Sequence, residues 1–542
     1  MSVYAPTSPD VDAIVVGAGF GGIYMCKKLT DQGLSVKVIE AAPDVGGTWY
    51  WNRYPGALSD TRSYFYRYSW DLEDLCEYPW KRKYLKKLEI LAYLRHVVDR
   101  HDLRKYMQFN TEVQRAIYDE IDNLWTASLS AGPRLTARYI VTAVGLLSKI
   151  NCPDIPGLKT YEGEMYHTGN WPASYNFTGK SVGVIGNGST GVQLVTALAD
   201  QNVKQLLSFQ RHPQYVVPAG DAEVPAATRA KLDECWKQVW GEVRNSVLGF
   251  GFEESSKPTF SVSDEERERI FEDAWARGNG VYFMFGTFCD MFSDEEANKA
   301  AAEFIRRKIR QKVNDPVKAE KLMPYDWYAR RPLCDTGYYE KFNRPNVDVV
   351  NIGTNPITQI LKKGIRTADG SEYELDVLIF ATGFDAVDGN YKRMHIQGAL
   401  GETLKNRWKE EPSSFLGTCI PGFPNLFTVL GPAGPFTNIP PLIEIQVEFI
   451  SDMISHARKV AAAQSAENGP RVEADTTALQ AWMQQCDEAS ANSLFRKTPS
   501  WIFGADVTGK RPSVLFYFGG LAKYRQILEK IVQQNYKGFS LV

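Results

Sequence analysis

The chain has 542 residues, enough for three or four domains at a prior of about 150 residues each, every one able to bury its own core. Its 62 Lys and Arg against 64 Asp and Glu leave a formal charge of −2, too even a balance for gripping nucleic acid or anionic lipid. Hydrophobic content of 44% with 23% charged residues excludes disorder as the main state, and eight cysteines without a CxxC pair signal no zinc site, redox dithiol or disulfide framework. No run approaches the roughly 18 to 20 apolar residues that span a bilayer. The expectation is a soluble cytoplasmic protein acting on small molecules, with no nucleic-acid, membrane or obligate protein partner.

The first readable unit opens with the apolar run AIVV at 13–16, followed by GAGFGG, a helical stretch at 22–32, a stop at Gly33 and a second apolar run, VKVI, at 36–39. This is a βαβ pattern. Gly17 permits the tight turn, Gly19 lets backbone amides approach a pyrophosphate, and Gly22 lets the helix pack close to the strand, with Gly21 beside it. Glu40 closes the second strand. A carboxylate there accepts both hydroxyls of an adenosine ribose and repels a 2′-phosphate, so the site calls for FAD or NAD.

The same grammar returns with SVGVI at 181–185, the turn GNGSTG (Gly186, Asn187, Gly188, Ser189, Thr190, Gly191), a helical stretch at 192–198 and a strand at 205–209. Glu40 lies 23 residues after Gly17, and the same offset after Gly186 falls on Phe209, followed by Gln210, Arg211 and His212. No acid closes this strand. Arg211 is placed to pair with a 2′-phosphate, so the second site prefers NADPH. Runs at 139–145 and 377–383 end in similar small-residue turns and are expected to return to the two nucleotide sheets. One FAD site and one NADPH site without a redox dithiol make a flavoprotein reduced by NADPH.

Between the two units lies YEGEMYHTGNWP, with Tyr161, Gly163, His167, Trp171 and Pro172, and downstream of Glu40 lies GGTWYWNRYPGALSD, with Gly46, Gly47, Thr48, Trp49, Trp51, Tyr54, Pro55, Gly56 and Asp60. Read alone, the first is a loop with a histidine and a tryptophan, and the second an aromatic cluster suited to the walls of a flat ligand. Together they resemble the two fingerprints of the type I Baeyer–Villiger monooxygenases, with Tyr161 in place of the usual Phe. YARRPLCDTGYYEKFNRPNV, ATGFDAVDGNY, GPAGPFTN and SWIFGADVTGK extend the resemblance over nearly the whole chain, to the cyclohexanone monooxygenase branch.

The resemblance implies a cycle in which NADPH reduces FAD, reduced flavin meets O2, and a C4a-peroxyflavin attacks a ketone to give an ester or lactone, water and NADP+. It places the oxygen chemistry on Arg331, with Asp60 behind it, and gives His167 a role in coupling hydride delivery to domain movement. A cation that stays protonated at neutral pH suits both a peroxide anion and the adduct oxyanion, a contribution often worth ~3 to 4 kcal/mol. The resemblance further implies Tyr66, Val113 and Asn438 as flavin contacts. Arg330, Arg331, His212 and Trp501 are implied on the NADP side, with Arg330 standing where relatives have Lys and His212 where they have a small hydroxyl residue. Leu146, Leu147, Phe436 and Leu442 are implied for an apolar ketone pocket. GPAGPFTN, without a two-residue bulge, favours cycloalkanones.

Two Ser-Asp-Glu-Glu segments, at 263–266 and 293–296, read as capping boxes, and 299–308 has helical periodicity. The expected organisation is α/β: two discontinuous Rossmann-like domains with a helical insertion. The FAD domain takes 1–145 and 385–542, the NADP domain 152–221 and 329–384, and the insertion 222–328, with a last helix at 522–534. Two other readings stay open: a class B flavin monooxygenase oxidising amine nitrogen or sulfide sulfur, and a non-catalytic FAD/NADP-binding sensor.

Overall fold

The apolar run that opens the first nucleotide motif becomes the strand Val11–Val16, central in an eight-stranded sheet of the computed structural model, which describes residues 8–505, 507 and 509–542. The first seven residues, and Asp506 and Thr508 of the SWIFGADVTGK segment, lie outside the described residues. Val11–Val16 pairs in parallel with Val36–Ile39 on one side and Leu135–Thr142 on the other. Leu426–Thr428, nearly 300 residues later, joins the end of Leu135–Thr142, also in parallel. Strands covered on both faces need continuous apolar side chains, which is why these segments read as runs and not as alternations. The meander Val113–Asp119, Leu124–Leu129 and Leu135–Thr142 is antiparallel, and His395–Gln397 extends it at the far edge.

The second motif builds a separate five-stranded sheet, all parallel, in the order Val347–Asn351, Gln205–Gln210, Ser181–Ile185, Val377–Phe380, Glu164–His167. The runs at 139–145 and 377–383 therefore return to the two nucleotide sheets, each beside its glycine-turn strand. The chain crosses between the sheets twice, and the crossings lie side by side. The Asn151 N–H donates to the Gly383 carbonyl, the Asp385 N–H to Lys149 and the Val387 N–H to Leu146, each at 2.9 Å.

Residues 222–328 are dominated by helices, Ala226–Asn245, Asp264–Arg277, Gly280–Phe285 and Glu295–Lys312 among them. The last buries Ala297, Ala301, Phe304, Ile305 and Ile309, spaced three and four apart, and Phe304 packs on Phe271 with ring centroids 5.3 Å apart. The Ser263 hydroxyl caps its helix by accepting from the Glu266 N–H (3.3 Å), but the Glu266 carboxylate pairs with Arg269, so the reciprocal half of the box is not made. The second box is displaced by one residue. Asp294, not Ser293, is the cap and accepts from the Ala297 N–H (2.8 Å), because a carboxylate is favoured at a helix N-terminus and the Ser293 hydroxyl donates to the Asp290 carbonyl. The last helix is Leu521–Gln533. No helix among the described residues is long and apolar enough to cross a membrane.

Candidate functional site

At the first glycine turn the helix Phe20–Asp31 starts directly after the strand, and steric contact explains the glycines. A Cβ on Gly22 would sit 1.8 Å from the Gly17 carbonyl oxygen, and one on Gly17, itself at φ +105°, 2.6 Å from that of Ala143. Only hydrogen fits at either. Gly21 sits under Val429, whose Cγ1 would be 3.0 Å from an added Cβ. Gly19 faces Gly47: a Cβ on Gly47, at φ +51°, would stand 3.0 Å from the Gly19 Cα. The Gly46 N–H donates to the Ala18 carbonyl (2.9 Å), so the loop carrying Gly47 and the one-turn helix Thr48–Trp51 is docked on the glycine turn.

Glu40 is buried at the end of its strand and accepts from the backbone N–H groups of Ala18 (2.6 Å) and Ala42 (2.8 Å). Burial raises its pKa and those two bonds work against the rise. The loop leading to Val113 runs beside it, the Thr111 N–H donating to the Glu40 carbonyl (2.9 Å), and Val113 is buried. Trp49 Nε1–H donates to the Tyr66 hydroxyl (3.2 Å), the two rings meeting edge to face, while Trp51 is half-buried. Asn438 opens the long helix Ile439–Ala463; its amide donates to the carbonyls of Gly249 (2.8 Å) and Phe65 (3.2 Å), and its buried Oδ1 has no hydrogen-bond partner among the described residues.

The second turn repeats the first. A Cβ on Gly191 would meet the Gly186 carbonyl oxygen at 2.1 Å, and one on Gly186, at φ +103°, that of Ala381 at 2.4 Å. Around Gly188 nothing lies within 4 Å of such an atom, and Ser189 and Thr190 open the helix Ser189–Ala199 beside that space. Backbone N–H groups there can face an anion. The Asn187 amide donates to Gln210 (3.1 Å) and to the His212 carbonyl (2.8 Å), fixing the strand end that carries Arg211 and His212. Arg211 is exposed, while Arg330 and His212 both face Asp326.

Arg331 and Asp60 meet in a two-point pair, Nη1 to Oδ2 at 2.5 Å and Nη2 to Oδ1 at 2.6 Å. Burial alone would lower the arginine pKa; the charge and hydrogen bonds of Asp60 override it and hold the guanidinium protonated. The hydroxyls of Tyr54 and Tyr66 feel both charges, and burial pushes each up to about 12. The Arg331 side chain keeps 29% exposure, so part of this fixed charge stays accessible.

His167 ends the strand Glu164–His167 at the sheet edge, buried, its Nδ1 accepting from the Gly169 N–H (3.0 Å) and its ring set beside the backbone carbonyls of Asn151 and Gly383. The Trp501 ring lies 6.4 Å from that of Phe436, which stacks on Phe518 at 5.4 Å. Leu146, Leu147 and Phe436 are half-buried against one hydrophobic cluster, whereas Leu442 is fully buried within it, in the first turn of its helix.

Residues 11–222 match the family description "Flavin-binding monooxygenase-like". The chain is 49% identical to a Baeyer–Villiger monooxygenase of Pseudooceanicola batsensis, over 97% of this chain and 95% of the relative. It is also 49% identical to the phenazine N-monooxygenase PhzNO1 of Lysobacter antibioticus, over 98% and 97%. Among solved structures, a cyclohexanone monooxygenase from Rhodococcus sp. Phi1 bound to NADP+ superposes with a TM-score of 0.94 at 53% identity, over 98% of this chain and 99% of that one. The chain belongs to the Baeyer–Villiger monooxygenases.

In this monooxygenase three residues given no role by the sequence reading organise the site. Gln193 joins the two nucleotide units: its Oε1 accepts from the Tyr54 hydroxyl (2.8 Å) and its amide donates to the Leu58 carbonyl (3.2 Å). Asn279, at φ +81°, caps the helix Gly280–Phe285 through the Tyr282 N–H (3.0 Å) and donates to the Asp60 carbonyl (3.0 Å), so the carboxylate behind Arg331 stands on a braced backbone. Lys510 sits between Asp385 and Asp388 at the crossing. Asn279 left a trace as an Asn between two glycines, which is a turn signal, and Lys510 closes the SWIFGADVTGK segment.

Proposed function

We propose that this chain is an FAD- and NADPH-dependent ketone monooxygenase, placing one oxygen of O2 beside a carbonyl carbon and releasing an ester or lactone, water and NADP+, with cycloalkanones as its preferred substrates. Arg331, paired with Asp60 from the flavin-motif loop, is the observation that carries the reading. A guanidinium so held stays charged without reorganising, and it offsets the negative charge that builds on the carbonyl oxygen when the carbon is attacked.

The residues present fit both cofactors. Gly19 and Gly47 face each other with no side chain of their own, Glu40 offers a carboxylate at the ribose position, and the Asn438 Oδ1 is a buried acceptor without a partner among the described residues. Gly17, Gly19, Gly21, Gly22, Glu40, Gly47, Thr48, Trp49, Trp51, Asp60, Tyr66, Val113 and Asn438 would hold FAD. Gly186 to Gly191, Arg211, His212, Arg330, Arg331 and Trp501 would hold NADPH. Reduced flavin supplies oxygen activation and NADPH the hydride that reduces it. His167, its ring kept neutral by burial, holds its proton at Nε2. Leu146, Leu147 and Phe436 supply the apolar surface that excludes water from a ketone, Leu442 backing them from the core, and Trp501 closes over the coenzyme. We assign 1–145 and 385–542 to the flavin domain, 152–221 and 329–384 to the NADP domain and 222–328 to the insertion.

The phenazine N-oxygenating relative makes nitrogen oxidation the reading to test against. Purified yellow enzyme is given NADPH with cyclohexanone, a thioether, phenazine or no substrate, and products are identified. Cyclohexanone-stimulated NADPH use with matching lactone is expected; stimulation by phenazine alone, without lactone from any ketone, would replace the reading.

A further inference from the structure

The coenzyme end of the second nucleotide unit contains a carboxylate where the expected ligand carries a phosphate. In a dinucleotide fold the ribose 2′ position lies just past the end of the second strand, here past Gln205–Gln210. Arg211 begins that segment, exposed, and its guanidinium has no hydrogen-bond or ion-pair partner among the described residues. His212 follows, its Nδ1 3.7 Å from Asp326 Oδ2. The same oxygen of Asp326 accepts from Arg330 Nη2 at 2.5 Å, and Arg330 Nε donates to the Pro499 carbonyl at 3.3 Å. Two of the three guanidinium nitrogens of Arg330 are thus occupied by the protein itself.

Asp326 is held in place. The Tyr215 hydroxyl, four residues past Arg211, donates to the Asp326 carbonyl (2.7 Å), and Arg306 donates both to that hydroxyl (3.0 Å) and to the Pro324 carbonyl (2.8 Å). Beside it opens a groove of about 640 Å³ lined by Pro213, Val317, Met323, Tyr325 and Asn351, so the carboxylate faces space that a ligand can reach. Burial first, and then the Arg330 charge, lowers the His212 pKa, with Asp326 opposing.

We propose that Asp326 sets the coenzyme discrimination of this enzyme by competing, as an internal carboxylate, with the ribose 2′-phosphate for Arg330. This deepens the NADPH reading and rests on it. With Asp326 in place, a 2′-phosphate finds, among the described residues at this strand end, the unpaired Arg211, an arginine already paired to Asp326, Lys321 of the groove drawn toward Asp348, and a carboxylate that repels it. Without the carboxylate charge, Arg330 is free to grip the phosphate as well.

Isothermal titration of the FAD-loaded enzyme with 2′,5′-ADP and with 5′-AMP isolates the 2′-phosphate from turnover, and flavin absorbance and Tm report that each variant is folded. Asp326→Asn is expected to tighten 2′,5′-ADP about tenfold while 5′-AMP stays within about twofold, a charge-assisted phosphate contact being of that order. Adding Arg330→Gln to Asp326→Asn abolishes the gain, whereas Glu320→Gln, which removes a charge lining the same groove, leaves both affinities alone. Unchanged or weaker 2′,5′-ADP binding by Asp326→Asn overturns the proposal, Asp326 then being a positioning residue for Arg330. Equal affinity of the unmodified enzyme for the two nucleotides, or binding of neither, instead overturns the NADPH reading, and the proposal with it.

Discussion

Arg331 and Asp60 stand 271 positions apart in the chain and face each other through two parallel hydrogen bonds of 2.5 and 2.6 Å. The planar fork of arginine matches both carboxylate oxygens, which gives the pair a direction as well as a charge. The Asn279 amide donates to the Asp60 backbone carbonyl at 3.0 Å. Flavin-motif loop and helical insertion thereby fix one cation together.

Replacing Arg331 by Ala should leave NADPH oxidation in place and remove oxygen transfer. Loss of one preorganised charge-stabilising group costs about 10²- to 10³-fold. The measurement is lactone formed per NADPH consumed. A variant with wild-type lactone yield and rate would refute the role assigned to this residue.

Gly188 and Gly191 should respond in opposite ways to alanine. The Gly191 Cβ would overlap the Gly186 carbonyl oxygen at 2.1 Å, so Gly191→Ala is expected to destabilise the protein by more than about 3 kcal/mol, or to prevent soluble expression. Gly188 is at φ −68° with open space around it, so Gly188→Ala should keep its Tm while the methyl group weakens NADP+ binding. Thermal melts paired with NADP+ titrations separate the two; equal destabilisation would contradict the packing described here.

His167 should give stability a slope on the acid side. Burial lowers its pKa from the ordinary 6.5 to about 4, the backbone carbonyls of Asn151 and Gly383 opposing part of the drop. Between those values the unfolded chain binds the proton and the folded chain does not, so this contribution is complete above pH 6.5 and is lost as pH falls toward 4. A displacement of that size is worth roughly 3 kcal/mol at most. Urea unfolding of wild type and His167→Gln across pH 4 to 7.5 should show the difference between them shrinking in acid; a constant difference would rule this out.

Lys510 should act as a latch. Its ammonium reaches Asp385 (2.9 Å), Asp388 and the Ala386 carbonyl (3.2 Å) where the chain crosses between the sheets, a few residues past the loop that carries Trp501. Lys510→Met leaves Asp385 and Asp388 to Lys392, and Asp385 also to Lys149, while removing the ammonium that ties that loop to the crossing. The expected result is faster proteolysis between residues 498 and 512 and more hydrogen peroxide per NADPH. Unchanged cleavage and coupling would leave Lys510 a role in static stability alone.

Both nucleotide sheets could be read from sequence because their requirements are local. A glycine whose Cβ would strike the carbonyl five residues earlier, as Gly22 does over Gly17 and Gly191 over Gly186, shows in the spacing of the motif itself. Strands buried on both faces are legible for the same reason, as short apolar runs. The second capping box was misplaced by one residue because Ser293 and Asp294 are both acceptable caps, and the choice fell to the neighbouring Asp290 carbonyl.

The pairings of Gln193, Asp326 and Lys510 were not legible, even though Lys510 closes the SWIFGADVTGK segment. Each is an ordinary polar residue whose importance lies in what it meets: the Tyr54 hydroxyl 139 positions away, the guanidinium of Arg330, and two carboxylates more than 120 positions earlier. The amino-acid order determined the two nucleotide cradles, through backbone dihedrals and packing within a single βαβ unit. Which charges confront one another across the chain, Arg331 with Asp60 and Lys510 with Asp385, was decided by tertiary structure, because Coulomb forces and hydrogen bonds act through a few ångströms of space and not along the chain.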